Sequence, residues 1–386
     1  MKISCTQENL NQGLFVVSHI ASKNTALQIL NNVLIQASEN TIKLSATNLE
    51  IGVSCIVRGK VEEEGDFTVQ SRLLADYVGL LPKERVDLSI AKNSDPKESK
   101  DQVLGVSCKN NSTKVKGHPA TDFPLIPQID KKNVYALDYQ DFHQAVSQTI
   151  FAVSTSETRP EINGVLFNFA DGKLTLAATD SYRLAEKSVA LGKKSTSVPQ
   201  KVIVPTRTLQ ELQRILGSFK DPAAISDINE VEIYLAENQI LFVLGNIELI
   251  SRLVEGQYPD YQQIIPQQQN TTATLNVSEF INATKTTSLF TRSGIYDVSL
   301  EFLPDKKETV VSSANNQLGE NISRMSGEVS GDSNSIVINY RYLLDGLQNI
   351  NTEQAEVSLI DSNSPCVLKP AKKDADYLYI IMPIKQ

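Results

Sequence analysis

Several absences narrow what this 386-residue chain can be. Histidine occurs only as His19, His118 and His143, with no HExxH-type spacing, and the four cysteines, Cys5, Cys55, Cys108 and Cys366, form no CxxC pair. That excludes a zinc ligand set readable from spacing and makes a disulfide framework improbable, so buried reduced thiols and no metal are expected. No window approaches the ~18 consecutive apolar residues of a membrane helix, and the opening MKISCTQENLNQ has no run suited to a signal peptide. A cytoplasmic protein without a membrane partner is the expectation. Basic excess is lacking too: 37 Lys and Arg stand against 45 Asp and Glu, a net charge of −8. This argues against a surface coated by nucleic acid, but not against a few basic residues gathered on one face. GxSxG, the Walker loop and a carboxylate pair beside a histidine are all missing, so neither catalysis nor a cofactor is expected.

What is present is repetition. Leu10 and Phe142, Val33 and Val165, and Thr47 and Thr179 are each 132 residues apart, across a helix-spaced segment and two alternating strands. A looser third copy carries Phe280, Val298-Ser299-Leu300 and Ala314-Asn315-Asn316. A second half also repeats: Val69-Gln-Ser-Arg72, Val204-Pro-Thr-Arg207 and Ile338-Asn-Tyr-Arg341 each turn from a strand into an amphipathic helix, as Leu209, Leu212, Ile215 and Leu216 show. Each unit runs out at Phe123-Pro124, Tyr258-Pro259 or Met382-Pro383. The reading is an α+β protein of three helix-hairpin-helix-hairpin units, 1–131, 132–268 and 269–386, with helices on one side of antiparallel sheets. The charged stretch NSDPKESKDQ (93–102) reads as a solvated hairpin tip.

The clearest copy, Asn163–Ala185, has Asp171-Gly172 as its turn and ends in Ala177-Ala178-Thr179-Asp180-Ser181-Tyr182-Arg183-Leu184, where it departs from the other copies. Asp180 recurs as Asn48 and Asn316, which points to turn capping and not to an acid catalyst. Together with Thr158-Arg159-Pro160-Glu161-Ile162-Asn163-Gly164-Val165, Gly256-x-x-Pro259-Asp260-Tyr261 and the terminal Met382-Pro383-Ile384, this tract resembles the bacterial DNA sliding clamps, the beta subunits of DNA polymerase III. The resemblance spans the whole chain.

It implies a head-to-tail homodimeric ring of six domains, helices inside and sheets outside. The ring would encircle double-stranded DNA without sequence specificity and act as a processivity factor. Its partners would be the DNA polymerase III catalytic subunit, the clamp loader and other proteins with a clamp-binding motif. A clamp paralogue that binds replication proteins or inhibitors without supporting synthesis is the alternative. The implied peptide cleft comprises Thr179, Ser181, Tyr182, Arg183, Leu184, Pro266, Asn339, Tyr342, Ile380, Met382 and Pro383, with Leu184, Pro266, Ile380 and Met382 as floor and Thr179 and Arg183 free for peptide polar groups. Ser181-Tyr182 stands where the family usually has Gly-His. Ring closure would set Leu289 and Phe290 against Lys114, Val115 and Lys116. DNA contact falls to Lys23, Arg72, Arg159, Arg207, Arg214, Lys285, Arg292 and Arg341, although Arg72, Arg207 and Arg341 could equally serve helix ends.

Overall fold

Among the described residues, six short helices are launched directly from strands: α1 (Gln7–Ser18), α2 (Ser71–Gly79), α3 (Tyr139–Ile150), α4 (Thr206–Gly217), α5 (Val277–Ser288) and α6 (Tyr340–Gln348). Where the strand ends, a polar side chain takes over an orphan amide: Thr6 Oγ1 accepts from Asn9 N, Asn276 from Glu279 N and Asn339 from Arg341 N. The apolar stripe of each helix is then buried, Leu10, Leu14 and Val17 in α1, Phe142 and Val146 in α3, and Leu209, Leu212, Ile215 and Leu216 in α4. The computed structural model describes residues 1–21, 27–90, 103–156, 158–218, 229–291, 294–372 and 376–385. The expected tip at 93–102 lies outside them.

Each half-repeat is larger than a helix and a hairpin. A strand precedes the helix and a three-stranded antiparallel meander follows it, as in Asn32–Ser38, Thr41–Thr47 and Ile51–Val57, or Gly164–Ala170, Lys173–Thr179 and Arg183–Ala190. The tract after the second-repeat hairpin is therefore a turn leading into a third strand. Its end residues are buried because another strand pairs with them.

Two compact units emerge: residues 1–139, 192–196 and 214–253, and residues 140–191, 197–213 and 254–386. The first holds one 13-stranded sheet, and α1 packs on α2; the second holds nine- and four-stranded sheets, and α5 packs on α6. Inside the first, the third meander strand Ile51–Val57 pairs antiparallel with Ile247–Arg252, the last strand of the next repeat, in the register Gly52↔Ile250. Inside the second, Arg183–Ala190 pairs with Tyr377–Ile381 in the register Leu184↔Ile380. One rule thus builds both junctions.

Two strands leave that rule unfinished. Gly319–Ser326 is an edge strand whose one partner among the described residues is Glu308–Asn315. Asn111–His118 pairs along its length with Val103–Cys108, but with Gly65–Gln70 only at Thr68↔His118 and Val69↔Gly117.

Gly117 marks where that second pairing stops. A Cβ there would stand 2.1 Å from the Thr68 carbonyl oxygen and 2.7 Å from the Phe67 ring. Gly117→Ala should lower stability by about 1–3 kcal/mol through overpacking; an unchanged urea midpoint would contradict this.

Candidate functional site

The turn Thr179–Arg183 is tied by its own side chains. Thr179 Oγ1 donates to the Arg183 carbonyl (2.7 Å) and accepts from Ser181 N (3.1 Å), while Asp180 Oδ1 accepts from Tyr182 N (2.9 Å) and Arg183 N (3.0 Å). Thr47, Asn48 and Ile51 repeat the same bonds. The geometry forces the third residue into the left-handed region, φ +77° at Ser181 and +76° at Leu49. That is why glycine suits this position in the family pattern. Asp180 is the turn cap that its recurrence as Asn48 suggests.

Arg183 closes the site from beneath. Its side chain is 12% exposed, with Nε donating to Asp180 Oδ2 (3.0 Å), Nη1 to Asp345 Oδ2 (2.5 Å) and Nη2 to the Phe151 carbonyl (2.8 Å). The guanidinium also lies 4.6 Å from the Tyr342 ring centroid and 5.6 Å from that of Phe151. The expectation of a free peptide-binding arginine is thus corrected: burial and three hydrogen bonds make Arg183 a staple between the second and third repeats. Thr179 is committed likewise, to the turn. Tyr342 supplies the face under Arg183, and Asn339 is the N-cap of α6.

Leu184 and Ile380, paired across strands, are fully buried in a cluster with Ile162, Leu166, Ile203, Tyr258, Tyr261, Val367 and Leu378. Partly buried Val254 and Ile265 pack against it. Above, Tyr182 is 64% exposed, and Met382 and Pro383 are half-buried. The tail is pinned by Met382 N to the Tyr182 carbonyl (2.9 Å) and Ile384 N to the Val337 carbonyl (2.8 Å). Pro266 does not join the cluster. It lines a neighbouring recess of about 230 Å³ with Gln267, Pro365, Val367 and Leu378. Of this cluster the expected cleft set held only Leu184 and Ile380, and the Gly256-x-x-Pro259-Asp260-Tyr261 motif was the signal for the aromatic pair Tyr258 and Tyr261. Tyr261 Oη further donates to Glu186 Oε2 at 2.5 Å.

The basic residues separate into groups. Lys23 and Arg292 lie outside the described residues. Arg214 is not a free cation: its Nη1 and Nη2 donate to the Phe15 (3.0 Å) and Val16 (2.8 Å) carbonyls and its plane covers the Phe15 ring, so it caps the C-terminal end of α1. Arg159 is exposed but donates to Glu161 and, at 3.0 Å, to Ser181 Oγ, which puts it beside the turn. Arg72, Arg207, Arg341 and Lys285 are exposed on α2, α4, α6 and α5, Arg341 stacking 3.6 Å above the Tyr296 ring centroid. Each of the three arginines is the second residue of its helix, where the macrodipole disfavours a cation, so helix stability does not explain them.

For ring closure, Leu289 is 71% exposed and Phe290 half-buried, whereas Val115 is 6% exposed and faces the core. Lys114 and Lys116 are exposed. Val115 can contribute only backbone, a correction that follows from strand alternation. Exposed Leu318 (62%) and Ile322 (53%), on the hairpin that ends in the free edge strand, were missed because they match no copy in the other repeats.

A threefold repeat with two junctions made by strand pairing defines a scaffold protein; among the described residues no group of three His, Cys, Asp or Glu could hold a metal. The family models for the N-terminal, central and C-terminal domains of the DNA polymerase III beta subunit match residues 1–127, 136–260 and 262–385. Curated relatives named beta sliding clamp include those of Synechocystis sp., 28% identical over 100% of this chain and 99% of that protein, and Staphylococcus epidermidis, 30% identical over 94% of both. Solved structures include the DNA polymerase sliding clamps of Bacillus subtilis (25% identity, TM-score 0.89, 100% of this chain and 99% of that one) and Pseudomonas aeruginosa bound to griselimycin (26%, 0.89, 100% of both). The chain belongs to the DNA polymerase III beta-subunit family, the sliding clamps, which are non-catalytic processivity subunits.

Two substitutions test the turn in opposite directions. Ser181→Gly should raise stability by about 0.4–1 kcal/mol, since glycine adopts the left-handed conformation without strain. Arg183→Lys should lower it by about 2–3 kcal/mol through loss of the planar fork. Urea unfolding measures both, and equal signs would refute the account.

Proposed function

We propose that two copies of this chain close head to tail around duplex DNA, with Gly319–Ser326 of one copy pairing with Asn111–His118 of the next. The observation that carries this is the repetition of one pairing rule at both internal junctions, with the corresponding edges unfilled at the two ends. Following the strand pairs, Lys114 is the counterpart of Ile250 and Ile380, because Gly105, Leu241 and Val367 are their respective partners. Glu320 is the counterpart of Gly52 and Leu184: each is the second residue of its strand and points away from the helices. Gly319 instead shares the helix side with Asn321, which accepts from Thr287 of α5. The face-matched closing register is therefore Lys114↔Glu320, which sets the Lys114 ammonium opposite that carboxylate and Thr113 opposite Asn321. Leu289, Leu318 and Ile322 supply apolar surface at this closure.

A closed ring holds DNA by topology, and the exposed Arg72, Arg207, Arg341 and Lys285 supply attraction without the many phosphate contacts that would stop sliding. No base-reading element is present among the helices, so binding is independent of sequence. The cleft around Tyr182, Leu184, Ile380 and Met382 takes apolar peptide motifs of the polymerase catalytic subunit, the clamp loader and other clamp-binding proteins. Tethering makes such weak contacts effective. The ring acts in the cytoplasm. The unit boundaries at 131/132 and 268/269 belong to the same reading.

Two measurements test it. Protein loaded on nicked circular DNA should dissociate when the circle is linearised; retention on the linear product refutes topological binding. Lys114→Cys combined with Glu320→Cys should give a disulfide-linked dimer under mild oxidation, since opposed antiparallel residues lie about 4.5–5.5 Å apart at Cα. The native thiols will not interfere: all four are buried, and burial pushes those of Cys5, Cys55 and Cys366 up to about 12. A monomer at micromolar concentration with no cross-link would refute the interface.

A further inference from the structure

The first junction reproduces the hydrogen bonds of the second. The Thr47–Ile51 turn matches Thr179–Arg183 bond for bond, and Arg252 N donates to the Glu50 carbonyl (3.1 Å) as Met382 N does to that of Tyr182 (2.9 Å). Here a recess of about 230 Å³ opens between the Thr47–Gly52 turn, the Gln239 and Ile250–Arg252 strand ends, and Leu125 and Pro127 of the junction segment. Across that segment it adjoins a larger hollow of about 1050 Å³ that shares Gly52, Leu125, Pro127 and Ile250. The recess alone is small, but together with the hollow it is large enough for a ligand of several residues.

The floor is rebuilt from different residues. Gly52 occupies the position of Leu184, and the space a Cβ would need is taken by Ile126, whose Cγ2 lies 2.9 Å from that point, and by Ile250 Cγ2 at 3.0 Å. Ile126 and Ile250 belong to an apolar cluster with Tyr234 and Leu241. The rim differs more: Leu49 replaces Ser181, Glu50 replaces Tyr182 and Arg252 replaces Met382. Leu49 is half exposed while held at φ +76°, and Leu125 is 97% exposed. A leucine both strained and solvent-facing has no stability rationale, and such outliers cluster at binding sites. The Arg252 and Glu50 side chains are exposed and make no ion pair among the described residues.

We infer that this first junction is a second peptide groove, specific for an extended segment that brings an apolar side chain to Leu49, Leu125 and Pro127 and a carboxylate to Arg252. Glu50 accepts a donor from the same segment, so the ligand combines an acidic group with free N–H donors. This goes beyond the cleft at Tyr182 and Met382, and relies on that reading only for the parallel.

A fluorescein-labelled Ser-Gly-Asp-Leu-Phe peptide, titrated against the full-length protein by anisotropy and native mass spectrometry, tests it. Tyr182→Ala with Met382→Ala should remove the second-junction site and leave one bound peptide per chain. Adding Arg252→Glu should then weaken binding at least tenfold. Adding Leu49→Gly instead should weaken it while raising the unfolding midpoint, a combination that misfolding cannot produce. Loss of all binding in the Tyr182/Met382 variant overturns the inference, as does indifference to both Arg252→Glu and Leu49→Gly. If the Tyr182/Met382 variant keeps every site of the unmodified protein, the fault lies instead with the second-junction cleft.

Discussion

Strand pairing between repeats is the constraint on which the rest of this structure depends. A meander of three strands cannot satisfy the outer edge of its third strand, and an unfilled edge is a row of unpaired amides and carbonyls open to adventitious pairing. The chain resolves this twice by laying the last strand of the next repeat along that edge, Ile250 opposite Gly52 and Ile380 opposite Leu184. The backbone bonds are indifferent to side chains, so the arrangement survives wide divergence of sequence. It also makes the compact units cut across the sequence repeats, since half of the second repeat is bound into each unit.

The same pairing positions the candidate site. Where Arg183–Ala190 meets Tyr377–Ile381, the turn before one strand and the tail after the other are brought together, and Met382 N finds the Tyr182 carbonyl. Beneath them, Arg183 reaches Asp345 in the third repeat and Phe151 in the second, sandwiched between two rings. Exposed Tyr182 and half-buried Met382 thus stand on a base of fully buried Leu184 and Ile380. Truncating Leu184 would open a core cavity worth about 2–5 kcal/mol, so its effect on ligand binding could not be separated from its effect on folding. The buried floor serves stability, and the exposed rim is left free to vary.

The repeat was legible because helix stripes and strand alternation are local patterns: Leu10, Leu14 and Val17 announce a buried helix face wherever that face ends up. Asp180 was legible as a cap because its copies are amides at the same turn. What could not be read locally was the partner of each side chain. Arg214 and Arg183 look alike in sequence, two arginines beside apolar residues, yet one caps α1 through the Phe15 and Val16 carbonyls and the other is enclosed by two carboxylates and two rings. Val115 alternates inward and Lys114 outward only once the strand's register is known. Pro266 and Tyr258 lie eight positions apart, but beyond the short helical turn Tyr261–Ile264 the proline lines a recess at the edge of the cluster that holds the tyrosine, beside Val367 and Leu378.

The two junctions show what repetition preserves. Backbone geometry is held closely, down to a left-handed residue at +76° in one turn and +77° in the other. Side chains are free to change provided the apolar volume is made up, as Ile126 does for the side chain that Gly52 lacks. A closing junction between copies would obey the same bonding with a third set of side chains: Lys114 where the internal junctions have isoleucine, Glu320 where they have Gly52 and Leu184. Because the internal junctions are covalently linked, their strands meet at an effective concentration set by the chain. The closing one has no such help. Additional apolar surface outside the strand ladder would then be needed there; Leu289, Leu318 and Ile322 are all exposed in the isolated chain.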